Sequence, residues 1–563
     1  MDYKLEIAKK INSLIDMDVE KIMELMEKPP QANMGDYAFP CFQLSKVMRK
    51  APNMIAAELS AKLQPDNLVE KTEQAGGYLN FFINKKSYIE DIIKNSIAVG
   101  EKCGSDTVGE GKNITIDFSS PNVAKPFHIG HMGSTIIGGS LEKIFKHLGY
   151  NVFRINHLGD YGTQFGKLIS AYNRWVDMAA LEKEPFAELL RIYVKFHEEA
   201  EKQPELEDEA RAYFKQLEDG ESGIVKLWQE FREISIAEFE KTYKKLHIEF
   251  DSYAGESFYT DKMPEIIKIL EDKNLLVDSN GARIVDLTQF NLPPCLVIKS
   301  DGTTIYVTRD LAAALYRKRT YNFHKNVYVV GGTQSLHFQQ LFSVLKLMGF
   351  EWAKDCIHIG FGLVKFPDRK LSTRKGDVVF LEDVLDEAAE RTLKLIEHKN
   401  SNLENKEEVA KKVGIGAVIY TFLKNNRDRD IVFSWEDTIN FDGDSGPYVQ
   451  YTYVRGKSIL RKAGEFPKEA DYSVLGTDEE FTLIKLIDSF GDAVKEAAER
   501  YEPFVITRHI TEIAKMYNKF YNSHPINNAE EKIKNARLHL TLAVCNVIKT
   551  GLSLICIESP ENM

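Results

Sequence analysis

Residues 113–145 constrain the fold of this chain more than any other segment. Ile114, Ile116 and Phe118 alternate with Thr115 and Asp117, which is the period of a strand. A loop holding Pro121 and Pro126 follows, and after it Leu141, Ile144 and Phe145 recur at helical spacing. Between loop and helix stands His128-Ile129-Gly130-His131. Through residue 170 the pattern reads strand, loop, helix, strand, helix, the opening of a parallel α/β sheet. A second set of such elements comes much later: the strand "NVYVVGG" at 326–332, a helix over 338–348 and the strand "CIHIGFGLV". It reads as the other half of the same sheet. The interval between them is charged and helical over 171–250, then β-rich through "GARIVDL" and "PPCLVIKSDGTTIYVTRD".

The flanks differ in character. The first hundred residues read as a small α+β domain that opens on an amphipathic helix and contains a strand in "GGYLNFFINKK". The stretch "GEKCGSDTVGEGKN" is a linker by composition. From about 380 onward the helical period dominates, broken mainly at "GDSGP" (443–447). These shifts give six segments: 1–108, 109–170, 171–300, 301–385, 386–440 and 441–563. The fold class is multidomain α/β: a Rossmann-type parallel-sheet domain split by an insertion, a small α+β N-terminal domain and an all-α C-terminal domain.

With 563 residues, no single core serves the whole chain. The composition, 43% hydrophobic and 28% charged, is that of an ordinary globular protein. No apolar run is long enough for a bilayer, and the N-terminus lacks a signal-peptide core, so a cytoplasmic protein without membrane association is expected. The six cysteines form no Cys-x-x-Cys pair, so neither zinc nor a disulfide framework is expected, and buried thiols are the simplest reading. A net charge of −11 argues against a general polyanion binder but leaves room for a local basic face. Basic runs such as "YRKRTYNFHKN" (316–326) and "RKLSTRKG" (369–376) read by themselves as solvated surface.

The motif at 128–131 has a specific chemistry available to it. A helix N-terminus presents unpaired N–H groups and attracts phosphate. Gly130 leaves the backbone open to close approach. His128 and His131, three apart, share one side of the turn and suit donation to a phosphate whose charge is growing. Pro126 fixes the loop without needing a hydrogen-bond acceptor. Far along the chain, Lys370-Leu371-Ser372-Thr373-Arg374-Lys375-Gly376 follows the strand that ends in Val364. Cations interleaved with hydroxyls suit a triphosphate and its departing pyrophosphate. Each motif alone has a bland alternative, as a capping pair or a surface loop. Placed at the carboxyl ends of strands from two halves of one sheet, they bracket the crevice where such folds bind nucleotides.

These residues resemble the two signatures of class I aminoacyl-tRNA synthetases, with Leu371, Thr373 and Arg374 departing from the usual Lys-Met-Ser-Lys-Ser wording. The wider blocks "SSPNVAKPFHIGHMGSTIIG", "NHLGDYGTQFG", "DGTTIYVTRD", "SGPYVQYTYVR" and the closing "ARLHLTLAVCNVIKTGLSLICIESPENM" are similar to arginyl-tRNA synthetases, as is "GDYAFPCFQLSK" near the start. The resemblance runs from about residue 30 to the last residue. It implies ATP-dependent activation of L-arginine, generally with tRNA bound, and transfer to the terminal ribose of tRNA-Arg. It also implies magnesium held by the substrate phosphates, and an anticodon-binding role for the helical C-terminal domain. A monomer is expected.

The resemblance assigns residues. His128, Gly130, His131 and Val364, with Lys370, Ser372 and Thr373, bind ATP. His128, His131, Lys370, Lys125 and Arg374 carry catalysis, with both Lys125 and Lys370 as candidates for neutralising the phosphates. Asp117, Asn122, Tyr306, Asp310 and Gln334 line the arginine pocket. Asp310 with Tyr306 takes the guanidinium, since a carboxylate accepts that planar fork bidentately, and Asn122 with Gln334 takes the amino-acid end. Asp310 is expected to open the helix after "TTIYVTR", where it also suits an N-cap. His157 and "GDYG" (159–162) either touch substrate or build the sheet edge. Tyr448, Tyr451 and Arg455 are the tRNA contacts, with Tyr453 a further stacking candidate. Phe39, Phe42 and Tyr78 are either contacts or core.

Two other functions fit parts of the sequence. A nucleotidyl transferase that activates a small acid without tRNA would share the His-x-Gly-His turn, but such enzymes are shorter and lack the closing helices. A synthetase-like regulatory RNA binder would have no need of intact His128, His131, Lys370 and Asp310.

Overall fold

Strand β1 (Asn113–Asp117) lies inside a four-stranded parallel sheet with β2 (Asn151–Ile155) on one side and β3 (Lys325–Val329) on the other; β4 (Cys356–Ile359) completes it beyond β3. The computed structural model describes residues 3–31, 34–300, 306–365 and 379–563. Ile114, Thr115, Ile116 and Asp117 are all buried, so both faces of β1 are covered, as a parallel sheet requires. The alternation read in the sequence is therefore not a polar face. Thr115 Oγ1 donates to Asn326 Oδ1 of β3 at 2.7 Å, which satisfies a hydroxyl inside the sheet.

The chain runs from β1 through α1 (Met132–His147) to β2, then returns by the insertion and α2 (Tyr306–Tyr321) to β3 on the opposite side of β1. α3 (Ser335–Leu347) leads to β4. The connection reverses direction between β1 and β3, and ligands bind in such sheets at the carboxyl side of that reversal. The loops at 118–131 and 330–334 leave from that edge.

The insertion is helical from Thr163–Trp175 through Ser222–Lys245, followed by a small antiparallel sheet of Leu276–Ser279, Ala282–Val285 and Cys295–Ile298. The β-rich reading stops there. Tyr306, Val307 and Thr308 stand in α2, not in a strand. Their β-branched and aromatic composition suits a strand in isolation, but helical geometry buries Val307 and lets Thr308 Oγ1 donate to Val297 O at 3.1 Å.

By contacts the chain divides into two compact units. One holds residues 104–455, 490–514 and 548–563, and contains all the elements above. The other holds residues up to 103 with 456–489 and 515–547. In it, Tyr37–Pro40 and Val69–Ala75 flank Tyr78–Ile83 in an antiparallel sheet. Helix Lys85–Val99 is capped by Asn84, which accepts from Ser87 N–H. Tyr88 donates to Asp488 at 2.8 Å, and the Thr477/Glu480 capping box starts helix Asp478–Asp488. Phe39 is fully buried there, while Phe42 is exposed with its ring edge-on to Tyr78. All six cysteines are buried.

Candidate active site

The turn Ile129–His131 caps itself. Gly130 N–H donates to His128 Nδ1 at 3.0 Å, and His128 N–H donates to His131 Nδ1 at 3.2 Å, a reciprocal box built from two imidazoles. With its Nδ1 accepting, the His128 ring carries its neutral-form proton on Nε2, whereas His131 Nδ1 stands 3.2 Å from both His128 N and His128 O and can meet either according to its tautomer. The ring centroids lie 4.0 Å apart, and Phe127 stacks on His131 at 5.1 Å. Burial, with His128 adding its charge, pushes His131 down to about 3, and burial lowers His128 as well. Both rings are neutral donors near neutral pH. A Cβ on Gly130 would meet His128 Cε1 at 2.7 Å, so the open backbone expected at Gly130 serves the fold of the His128 ring itself.

Hydroxyls fix this turn to the sheet. Ser134 Oγ donates to Val329 O at the end of β3 and accepts from Ser119 N–H, while Thr135 Oγ1 donates to His131 O and lies within hydrogen-bond distance of Ser119 Oγ, from which it can accept. Ser119, Ser120 and Ala124 all adopt positive φ, giving a loop of tight left-handed bends after β1. Neighbouring bonds draw in a distant segment. Ile129 N–H donates to Val379 O at 3.0 Å, Leu381 N–H donates to Phe127 O at 2.9 Å, and His128 pairs with Phe380. Lys370, Ser372, Thr373 and Arg374 lie outside the described residues, but the chain that follows them joins the imidazole turn directly.

A second cluster forms a chain of charged and polar groups. Arg317 Nη2 donates to Asp117 Oδ2 at 2.7 Å and lies 3.5 Å from His157 Nδ1. His157 Nε2 lies 3.9 Å from Asp310 Oδ1, and His337 Nε2 lies 2.7 Å from Asp310 Oδ2. Ser120 Oγ donates to the other oxygen of Asp117 and accepts from His157 N–H. Burial alone would raise Asp310; the His337 hydrogen bond and the charges of His157, His337 and Arg317 hold it below the usual carboxylate range. Beside it, Glu256 pairs with Arg309 at 3.2 Å. Burial pushes Glu256 up to about 7, opposed by Arg309 and reinforced by Asp310 and Asp160.

The topology brings the expected pocket residues to one edge. Asp117 ends β1. Pro121 O and Val123 N–H bond the backbone of Gly159, seating exposed Asn122 beside His157 and Asp160. Tyr306 is 67% exposed and stands one turn before Asp310 on α2. Asp310 is therefore inside the helix and caps nothing. Gln334 is exposed on the turn Gly332–Gln334, three residues before His337. Lys125 is half-buried on the loop after β1. Val364 pairs with Ile431 in a short parallel bridge.

On helix Gly446–Lys462, Tyr451 is exposed and Arg455 lies over its ring at 4.9 Å, with Tyr448 one turn earlier. Tyr453 is 2% exposed and donates to Glu561, so it is core, not a stacking surface.

Arg317, His337, Glu256 and Arg309 carry no signal in composition. The basic run at 316–326 reads as a solvated face, yet Arg317 is 1% exposed. Only the helical spacing of Asp310 and Arg317, seven residues apart, places the two on one face.

A parallel sheet with an imidazole turn at its switch point is the framework of a class I aminoacyl-tRNA synthetase. Residues 93–435 match the family of class I (R) tRNA synthetase catalytic domains, 449–563 the DALR anticodon binding domain, and 1–83 the arginyl tRNA synthetase N terminal domain. The chain is 58% identical to an arginine–tRNA ligase of Clostridium botulinum (strain Okra / Type B1) and 56% identical to one of Clostridium kluyveri (strain NBRC 12016), each over the full length of both chains. The fold superposes on the arginyl-tRNA synthetase of Thermus thermophilus with a TM-score of 0.79 at 26% identity, covering 96% of each chain. The arginyl-tRNA synthetase of Plasmodium falciparum shares the fold with a TM-score of 0.78 at 23% identity over 99% of both. The chain belongs to the arginyl-tRNA synthetase family.

Proposed function

We propose that this chain activates L-arginine with ATP and transfers it to the 3′-terminal adenosine of tRNA-Arg, releasing AMP and pyrophosphate. One observation carries the reading: the backbone pairing of 128–129 with 379–380, which ties the basic signature's own continuation to the imidazole turn. The sequence places Lys370, Ser372, Thr373 and Arg374 just upstream of that junction. His128, Gly130 and His131 receive the triphosphate, with Val364 and the basic signature as further ATP contacts. A carboxylate oxygen of arginine attacks the α-phosphorus, and pyrophosphate leaves. The neutral imidazole donors stabilise the oxygens as charge builds, an effect worth about 3–4 kcal/mol per donor. Lys370 and Lys125 share the charge on the leaving group. Magnesium enters as part of the substrate, on phosphate oxygens and water.

In the amino-acid slot, Asp310 and Tyr306 take the guanidinium while Asn122 and Gln334 hold the amino-acid end. Asp117 lines the wall, its charge met by Arg317. In the second step the ribose hydroxyl of bound tRNA attacks the adenylate carbonyl and AMP departs. The domain through 108 meets the outer corner of the tRNA, the sheet domain spans 109–170 and 301–385 around the insertion 171–300, and a helical stem over 386–440 leads to the anticodon domain 441–563. Tyr448, Tyr451 and Arg455 offer that domain stacking rings and a cation for splayed bases. The working form is a cytoplasmic monomer, for which sedimentation returns the chain mass of 64.2 kDa.

ATP–pyrophosphate exchange tests this directly. Exchange that needs both arginine and tRNA-Arg is the expected result. Exchange driven by another amino acid, or none under any condition, overturns it.

A further inference from the structure

Resting on that reading of the slot, we propose that His337 is a positioning residue for arginine: its Nε2–H holds one oxygen of Asp310 and fixes the direction in which the other meets the guanidinium. An ionised carboxylate only accepts, so the 2.7 Å contact between His337 Nε2 and Asp310 Oδ2 requires the proton on the histidine. Among the described residues Oδ1 has no such close partner; His157 Nε2 stands 3.9 Å away. A planar fork needs its acceptor held in plane, and a carboxylate at the end of a rotatable side chain is not held by its helix alone.

The support for His337 is itself rigid. It sits in the first turn of α3, directly after the turn carrying Gln334, so one short segment sets both ends of the slot. Its neighbour Phe338 stacks on His358 of β4 at 4.4 Å, and His358 Nε2 donates to Val330 O at 2.9 Å. The charged and titratable groups facing the pair are His157 after β2, Arg317 and Arg309 on α2, Glu256 from the insertion, and His358 with Arg427 behind α3.

The test compares His337→Ala, His337→Gln and Asp310→Asn by ATP–pyrophosphate exchange with saturating tRNA-Arg. His337→Ala should raise KM for arginine roughly tenfold or more with KM for ATP within about twofold, a split that a general loss of structure would not give. His337→Gln, whose amide reaches the same oxygen, should recover most of the loss. Unchanged arginine KM in His337→Ala, or an equal rise for ATP, overturns the proposal. If His337→Ala does not fold, His337→Leu, which fills the same space without a donor, is read by the same criterion. Asp310→Asn separates the two levels. If its arginine KM is normal, the slot itself is misplaced; if it rises while His337→Ala does not, only the role of His337 fails.

Discussion

Arg317 Nη2 donates to Asp117 Oδ2 across 2.7 Å, and both side chains are almost wholly enclosed. A buried carboxylate beside a pocket for a cation would otherwise compete for that cation. Arg317 occupies Asp117 from within the protein, with the Tyr328 ring 5.2 Å from the guanidinium, while the Asp310 side chain keeps 25% of its surface exposed and is the carboxylate proposed for the substrate. Among the described residues Arg317 Nε and Nη1 make no hydrogen bond of good geometry, so Asp117 is the partner that meets this buried charge.

Replacing Arg317 should therefore harm stability before chemistry. Arg317→Met leaves Asp117 buried without its partner, a loss of about 3–5 kcal/mol. Urea unfolding measures it as a fall in midpoint at constant slope. Adding Asp117→Asn to Arg317→Met should recover part of the loss, because the orphaned charge goes too. A drop smaller than about 1 kcal/mol would place the pair among ordinary surface ion pairs.

Asp310→Ala should raise the arginine KM by about two powers of ten or more, the worth of a broken enclosed ion pair, with little change for ATP. Exchange kinetics with each substrate varied in turn gives both constants. An unchanged arginine constant would remove Asp310 from the slot.

His131→Ala should slow single-turnover adenylate formation about a hundredfold to a thousandfold while circular dichroism stays native. The same ring makes an acid prediction. Its ordinary value near 6.5 falls to about 3 in the folded chain, through burial first and the charge of His128 second. Between those limits the unfolded chain binds a proton that the folded chain refuses, so stability is full above about pH 6.5 and declines as pH falls. His131→Leu should show a shallower decline in urea midpoint over that window. Equal slopes would mean the ring is not held neutral.

Gly159→Ala separates packing from binding. The added Cβ would lie 2.1 Å from Asn122 Oδ1, but Asn122 is exposed and its side chain can swing aside. Gly159 is buried, but the tight contacts of the added Cβ are with that side chain and Asn122 Cα is at an ordinary 3.4 Å, so the folding free energy should change by only about 1 kcal/mol. The arginine KM should rise, because the displaced amide is the group assigned to the amino-acid end. A normal KM would argue that Asn122 does not contact substrate.

The strand at 113–117, the imidazole turn, the helical insertion and the second set of strands and helix were all legible in the sequence. Each is set by local rules: hydrophobic period, proline and glycine positions, capping spacing. The segment at 306–310 was not. Its β-branched residues favour a strand locally, and packing against Val297 overrides that preference. Tyr453 likewise shares its composition with Tyr451, and only the orientation of the helix sends one inward and leaves the other out.

The sequence by itself determined which chemical groups this protein owns and, through motif order, the family it serves. The tertiary structure alone decided which of those charges are spent on one another. Arg317 and Asp117 lie two hundred residues apart, as do Asp310 and His157 by about three quarters of that span. Pairings of that kind depend on which strand lies beside which, and no local period records the order of strands in a sheet.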